Sequence, residues 1–255
     1  MPLELVTLPV RQDNYVYLIH DAASGATALV DVGAPQAILA ALDGRGWRLS
    51  DIFLTHHHGD HVEGAETVVA ATGARVTGAA ADAHRLPRLD RRVAAGDRFD
   101  FAGAEVQVFD VPGHTVGHVA YYIPSLGAAF TADSLMALGC GRLFEGKPAQ
   151  MWDSLSRLAT LPDATLICSG HEYTAANARF ALTVDPDNPA LQARAKAVAE
   201  ARAAGRPTVP STLAEEKATN PFLRAADPLI RARLDLKSAS DAEVFAEIRA
   251  RKDRF

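Results

Sequence analysis

The sequence predicts a layered α/β (α+β) domain, two sheets with helices outside, followed by a helical C-terminal segment. Three observations predict it. The first 170 residues alternate short apolar runs with Gly, Asp and Pro, as short strands joined by turns do. Histidines and aspartates recur directly after those runs. Beyond Tyr173 the composition shifts to Ala-rich, helix-like stretches, so the chain divides into residues 1–172 and 173–255.

Val16–Ile19 and Ala28–Val32 read as strands, the second ending at Asp31-Val32-Gly33. Pro35–Leu42 reads as a short helix, and Asp51–Thr55 as a strand that delivers the chain into His56-His57-His58-Gly59-Asp60-His61. Glu63–Thr72 is the expected next helix and Arg75–Thr77 another short strand. In Glu105–Val111 the alternation of Val106 and Val108 marks a half-buried strand, which stops at the turn Pro112-Gly113-His114. Val119–Ile123 and Ala128–Thr131 form an expected hairpin, and Thr165–Cys168 runs into Gly170-His171. Asn188-Pro189 opens a helix over Ala190–Ala204, closed by Gly205, after which Pro207 and Pro210 break the chain. Ser240–Arg251 reads as the last helix, with Ser240 or Asp241 at its N-cap and basic residues in its last turn.

The whole-chain numbers exclude several function classes. With 48% hydrophobic and 22% charged residues the composition is that of an ordinary soluble domain. A net charge of −5 and the lack of a basic arm argue against nucleic acid as a partner, although the stretch 224–255 is mildly basic and could receive an anionic substrate. No apolar window reaches the length of a membrane span, and no secretory signal is evident. Cys140 and Cys168 are too few for a disulfide framework or a thiolate metal site, so two reduced thiols in a cytoplasmic protein are expected.

Each candidate ligand stands at the end of an expected strand, where a rigid scaffold presents functional groups. His56, His58, Asp60 and His61 follow one strand, and His114, Asp133 and His171 follow three others. Seven donors exceed the four that one tetrahedral zinc takes. They suit two divalent metals. A consistent partition puts His56, His58 and His114 on one ion and Asp60, His61 and His171 on the other, with Asp133 bridging. Such a pair can hold a hydroxide and polarise a substrate oxygen, supplying a nucleophile at neutral pH. Zinc is the expected metal, with iron and manganese compatible with the same donors. His57 and His118 are expected beside the ligands rather than among them.

Thr55-His56-His57-His58-Gly59-Asp60-His61, Pro112-Gly113-His114-Thr115, Thr131-Ala132-Asp133-Ser134 and Gly170-His171-Glu172-Tyr173 resemble the metallo-β-lactamase superfamily. Further segments resemble one branch of it, the glyoxalase II (hydroxyacylglutathione hydrolase) family, nearly end to end. They are Asp13-Asn14-Tyr15, Gly139-Cys140-Gly141-Arg142, Phe144-Glu145-Gly146, Pro210–Glu216 and Asn220-Pro221-Phe222. The resemblance implies an αββα sandwich over 1–172 that carries catalysis and a helical substrate-binding domain over 173–255. It implies hydrolysis of an S-2-hydroxyacylglutathione thioester such as S-D-lactoylglutathione, with Asp60 and Asp133 at the reacting centre. By the same resemblance Arg142, Phe144, Tyr173, Arg249 and Lys252 hold glutathione. The family commonly has Lys where Arg142 stands and Tyr where Phe144 stands. Arg keeps the charge, whereas Phe144 cannot donate a hydroxyl hydrogen bond. Other activities on this fold, a lactonase or a one-iron glutathione-persulfide oxygenase, are the alternatives, with a metal-dependent nucleic-acid-processing protein behind them. A monomer is expected.

Overall fold

Alternation and β-branched content build the first sheet. The computed structural model describes residues 3–255; Met1 and Pro2 lie outside them. In chain order the elements of the first part are β1 (Glu4–Val10), β2 (Asn14–Asp21), β3 (Ala26–Val30), α1 (Pro35–Asp43), β4 (Arg48–Phe53), α2 (Gly59–Val62) and α3 (Ala65–Thr72). They continue as β5 (Arg75–Ala79), β6 (Arg91–Val93), β7 (Arg98–Phe101), β8 (Ala104–Asp110), β9 (Val119–Ile123) and β10 (Ala128–Ala132).

Strands β1 to β6 lie side by side in sequence order. The first three are antiparallel, and β3 to β6 run parallel. Parallel strands need both faces covered. On one face Ile38 and Leu42 of α1 and Val68 of α3 join Leu29, Ile52 and Leu54 in a single buried cluster. On the other face Tyr17 meets Phe130 edge-on at 5.5 Å, and Phe53 meets Phe99, Phe101 and Tyr121. Those partners belong to an antiparallel set in which β7 pairs with β8, β8 with β9 and β9 with β10. The Tyr121 hydroxyl donates to the Leu54 carbonyl at 2.9 Å, which satisfies a polar atom that this aromatic layer buries.

These residues form one compact unit, the described residues through Asp110 together with Gly117–Thr131. The second unit comprises Val111–Val116 and Ala132–Phe255. It contains β11 (Leu135–Met136), β12 (Gly139–Cys140), α4 (Pro148–Leu158), β13 (Leu166–Ser169), α5 (Thr174–Val184), α6 (Pro189–Ala203), β14 (Ser211–Thr212), α7 (Leu213–Thr219), α8 (Pro228–Arg233) and α9 (Asp241–Arg254). Its helices announce themselves by their caps. The Asn188 side chain accepts from the amides of Ala190 and Leu191, and Ser240 with Glu243 closes a reciprocal capping box. Trp152, Phe245, Phe222 and Phe180 pack in series through its core.

Most expected elements are present with ends shifted by a few residues. The expected helix over Glu63–Thr72 is α3, which starts two residues later, after Gly64. A β-carbon there would lie 2.8 Å from the Val32 carbonyl oxygen, so the chain needs glycine at this crossing and starts α3 after it. The strands β1, β6, β7, β11, β12 and β14 and the helices α2, α4, α5, α7 and α8 were not expected. β1 contains Pro9 and survives because it is an edge strand, where a missing N–H is tolerated.

Candidate metal centre

In the first unit the cluster begins with Asp31, one residue past β3. Its backbone is left-handed (φ 60°), a conformation that Asp tolerates better than most residues. The buried carboxylate accepts from the Thr55 amide at 2.8 Å, from the Thr55 hydroxyl at 2.8 Å and from Nδ1 of His61 at 2.8 Å. Proton positions follow from this geometry. The single Thr55 hydroxyl proton is committed to Asp31, so Nδ1 of His56, 3.0 Å from that oxygen, is the donor there. Both His56 and His61 therefore carry the proton on Nδ1 and present Nε2 as a lone pair. Their rings stand 4.3 Å apart, with that of His58 4.8 Å from that of His56. Ligand atoms of Asp31, His56 and His61 all fall within 4.8 Å of one another. The Asp60 Oδ2 stands 3.4 Å from Nε2 of His61 and accepts from Nδ2 of Asn14 at 2.8 Å.

His57 turns to a different cluster. Its Nδ1 lies 3.2 Å from the buried Asp82 carboxylate, which Arg85 also clasps at 2.6 Å. His118 stacks on His56 at 4.6 Å with the rings nearly parallel.

In the second unit Asp133 gathers two histidines. Its Oδ2 is 3.4 Å from Nε2 of His114 and 3.3 Å from Nε2 of His171. Nδ1 of His114 is 2.7 Å from the Arg142 carbonyl, which can only accept, so that proton too sits on Nδ1 and Nε2 is left as an acceptor. Gly141 makes this approach possible, because a β-carbon there would lie 1.9 Å from the Asp133 carbonyl oxygen and 2.9 Å from the His114 ring. Glu172 anchors the neighbouring turn by accepting from the Thr208 amide at 2.9 Å and its hydroxyl at 2.6 Å.

The donor set, imidazole nitrogens with carboxylate oxygens, fits divalent cations. Imidazole nitrogens and carboxylate oxygens face each other at 3.3–3.4 Å, and for His61 and His114 the proton is held on the far side. Free Cys140 and Cys168 are both buried and contribute no ligand to these clusters.

The substrate-side residues all lie in the second unit. Phe144 is 61% exposed and presents its ring edge to His114 at 5.3 Å, and Tyr173 stacks flat on His171 at 4.7 Å. Arg142 is exposed, with its guanidinium 6.0 Å from the Phe144 ring and Nε 3.7 Å from Asp253. Arg249 is buried: Nη1 donates to the Cys140 carbonyl at 3.0 Å and Nη2 to Asp253 at 2.8 Å. Asp253 thus joins the two guanidiniums. Lys252 lies 5.2 Å from the rings of Phe180 and Phe255, and burial, aided by the positive charges of Arg249 and Arg179, lowers its pKa. Sequence reasoning passed over Asp31 and Asp253, and it named Thr55 and Asn14 only within family-like segments, with no role of their own. Asp31 follows a strand end like every candidate ligand, and that signal could have found it.

The chain belongs to the Metallo-beta-lactamase superfamily, whose family model matches residues 10–171. The solved B3 metallo-beta-lactamase BLEG-1 shares the fold at a TM-score of 0.68 and 19% identity, over 86% of this chain and 99% of that one. A second model, Hydroxyacylglutathione hydrolase C-terminus, matches residues 172–255. The chain is 63% identical to the hydroxyacylglutathione hydrolase of Roseobacter denitrificans and 64% identical to that of Ruegeria pomeroyi, each over the full length of both chains. It belongs to the hydroxyacylglutathione hydrolase family.

Proposed function

We propose that the chain hydrolyses S-2-hydroxyacylglutathione thioesters, S-D-lactoylglutathione among them, to a 2-hydroxy acid and glutathione. The observation that carries the reading is the second unit's layout. Two metal-competent histidines on Asp133 are flanked directly by an exposed Phe144 and a stacked Tyr173, with the cations Arg142 and Lys252 on the same unit. His56, His58 and His114 would hold one divalent ion, Asp60, His61 and His171 the other, and Asp133 would bridge. Zinc suits this His and carboxylate set. A bound pair supplies Lewis acidity toward the thioester carbonyl and brings the pKa of water near neutrality.

The protein's own groups do the rest. Arg142 and Lys252 attract the glutathione carboxylates, which ties a remote part of the substrate down and orients the reacting carbonyl. Phe144 and Tyr173 give the thioester arm an apolar wall beside His114 and His171. Arg249 acts from inside, since it braces Cys140 and Asp253, and Asp253 in turn faces Arg142. Residues 1–172 would carry catalysis and 173–255 substrate binding, a division supported by the meeting of the two family models at residues 171 and 172. One copy suffices, because every proposed residue lies on one chain. Two free buried thiols support a cytoplasmic setting. No helix among the described residues is long and apolar enough to cross a membrane, and the net charge of −5 disfavours nucleic acid.

The test is thiol release from S-D-lactoylglutathione by zinc-loaded protein, with metal content measured on the same sample. Wild type should release glutathione and hold two ions. Asp133→Ala should lose metal and activity together. No release by the loaded wild type refutes the activity, and an Asp133→Ala protein with both ions and full activity refutes the bridging role.

A further inference from the structure

The segment Asp13-Asn14-Tyr15 stands far in sequence from every candidate ligand, yet Asn14 ends on one of them. Residues 11–13 form the turn between β1 and β2, with Val10 and Asn14 as the last cross-strand pair before it. Arg11 adopts a left-handed backbone (φ 55°), and its side chain donates to the Gly33 carbonyl at 2.9 Å and pairs with Glu63. Asn14 is buried (5% exposed) and its Nδ2 donates to Oδ2 of Asp60 at 2.8 Å. The turn therefore grips α2 at Asp60 and, just past its end, at Glu63.

We infer that Asn14 is a positioning residue for the metal centre: its amide fixes the Asp60 carboxylate so that Oδ2 converges with Nε2 of His61. The inference rests on the two-metal reading above. The last side-chain torsion of an aspartate is broad and roughly two-fold, so packing alone does not fix which way the oxygens point. Asp60 is a third exposed, so water also reaches it. One N–H from Asn14 occupies one lone pair of Oδ2 and leaves the other beside His61, 3.4 Å away. A neutral donor suits this position. A cation there would draw charge away from the carboxylate, and a second carboxylate would repel it.

The test is a zinc titration of metal-free protein against a competing chelator. It compares wild type with Asn14→Asp, which keeps the shape and loses the donor, and Asn14→Ala. Asp60→Asn serves as reference, and the urea midpoint of each metal-free protein is measured in parallel. Partners that orient metal ligands are worth about 10–100-fold in affinity. The expected result is that both Asn14 variants weaken, by about that factor, the same ion that Asp60→Asn weakens, with the metal-free midpoint unchanged. Affinities within about threefold of wild type overturn the inference. So does a loss on every ion in step with a fallen midpoint, which would make Asn14 a folding residue. Should wild type hold a single ion, the two-metal reading fails, and the effect of Asn14→Asp on that ion still decides the role of Asn14.

Discussion

Glu216 offers the sharpest test of how the helical region supports the site. Its side chain is fully buried in α7. Oε2 accepts from the Leu138 amide at 2.9 Å and from Nδ2 of Asn220 at 3.0 Å. Oε1 accepts from the Ser211 hydroxyl at 2.6 Å and pairs with Arg194, itself only 10% exposed. Glu216→Ala strands two hydrogen-bond donors, the Leu138 amide and the Ser211 hydroxyl, and a nearly buried cation, while Asn220 keeps the Met136 and Gly139 carbonyls. Breaking a buried ion pair from one side costs about 3–5 kcal/mol, and each stranded donor about 1–3. These terms overlap because they share one carboxylate, so a loss of about 4–5 kcal/mol is expected. That is a large share of a typical stability of about 5–15 kcal/mol. Equilibrium urea unfolding of the metal-free protein measures it. Arg194→Met added to Glu216→Ala should recover part of the loss, because it removes the uncompensated charge. A loss below about 1 kcal/mol, or no recovery in the double variant, would refute the reasoning.

Two further outcomes follow from the site. Asp31→Asn should keep the left-handed backbone, which Asn also tolerates, but weaken the hold on Nδ1 of His61. One metal affinity should drop about 10–100-fold in a chelator titration. Lys252 has a pKa below that of an ordinary lysine, so between the two values the unfolded chain binds more protons than the folded one. Its contribution to stability therefore rises with pH across that window, which lies below about 10.4. Urea midpoints at stepped pH should show Lys252→Met ahead of wild type near neutrality, with the gap closing as pH climbs.

What was legible in the sequence depended on whether a residue's partner lay nearby in the chain. His56 to His61 declare themselves as a run, and Gly113-His114 and Gly170-His171 by their turn residues. The helix over Pro189–Ala203 is visible because its Asn188 cap and terminal Gly205 are local signals. β7, by contrast, alternates polar and apolar over only four residues, Arg98, Phe99, Asp100 and Phe101, and it is a strand because β8 lies beside it and Phe53 receives Phe99 and Phe101. The long-range contacts of Asp31 with His61, Asn14 with Asp60 and Glu216 with Leu138 escaped for the same reason. The partners lie 30, 46 and 78 residues apart, and no window along the chain joins them.

The three histidines whose protonation the geometry determines reach the same state by different means. His61 is held by a carboxylate, His56 by a hydroxyl whose own proton is spoken for, and His114 by a main-chain carbonyl. A carboxylate raises the basicity of the imidazole it holds, which makes His61 the strongest donor of the three. The carbonyl at His114 has another consequence. Because the contact is made by the backbone of Arg142, it does not depend on which side chain stands there. The Arg142 guanidinium is then free to face Asp253 and the exposed ring of Phe144, so Arg can stand where the family commonly has Lys without disturbing the ligand. The constraint falls instead on the preceding residue. Gly141 is wedged between the Asp133 carbonyl and the His114 ring, and only glycine leaves room for both.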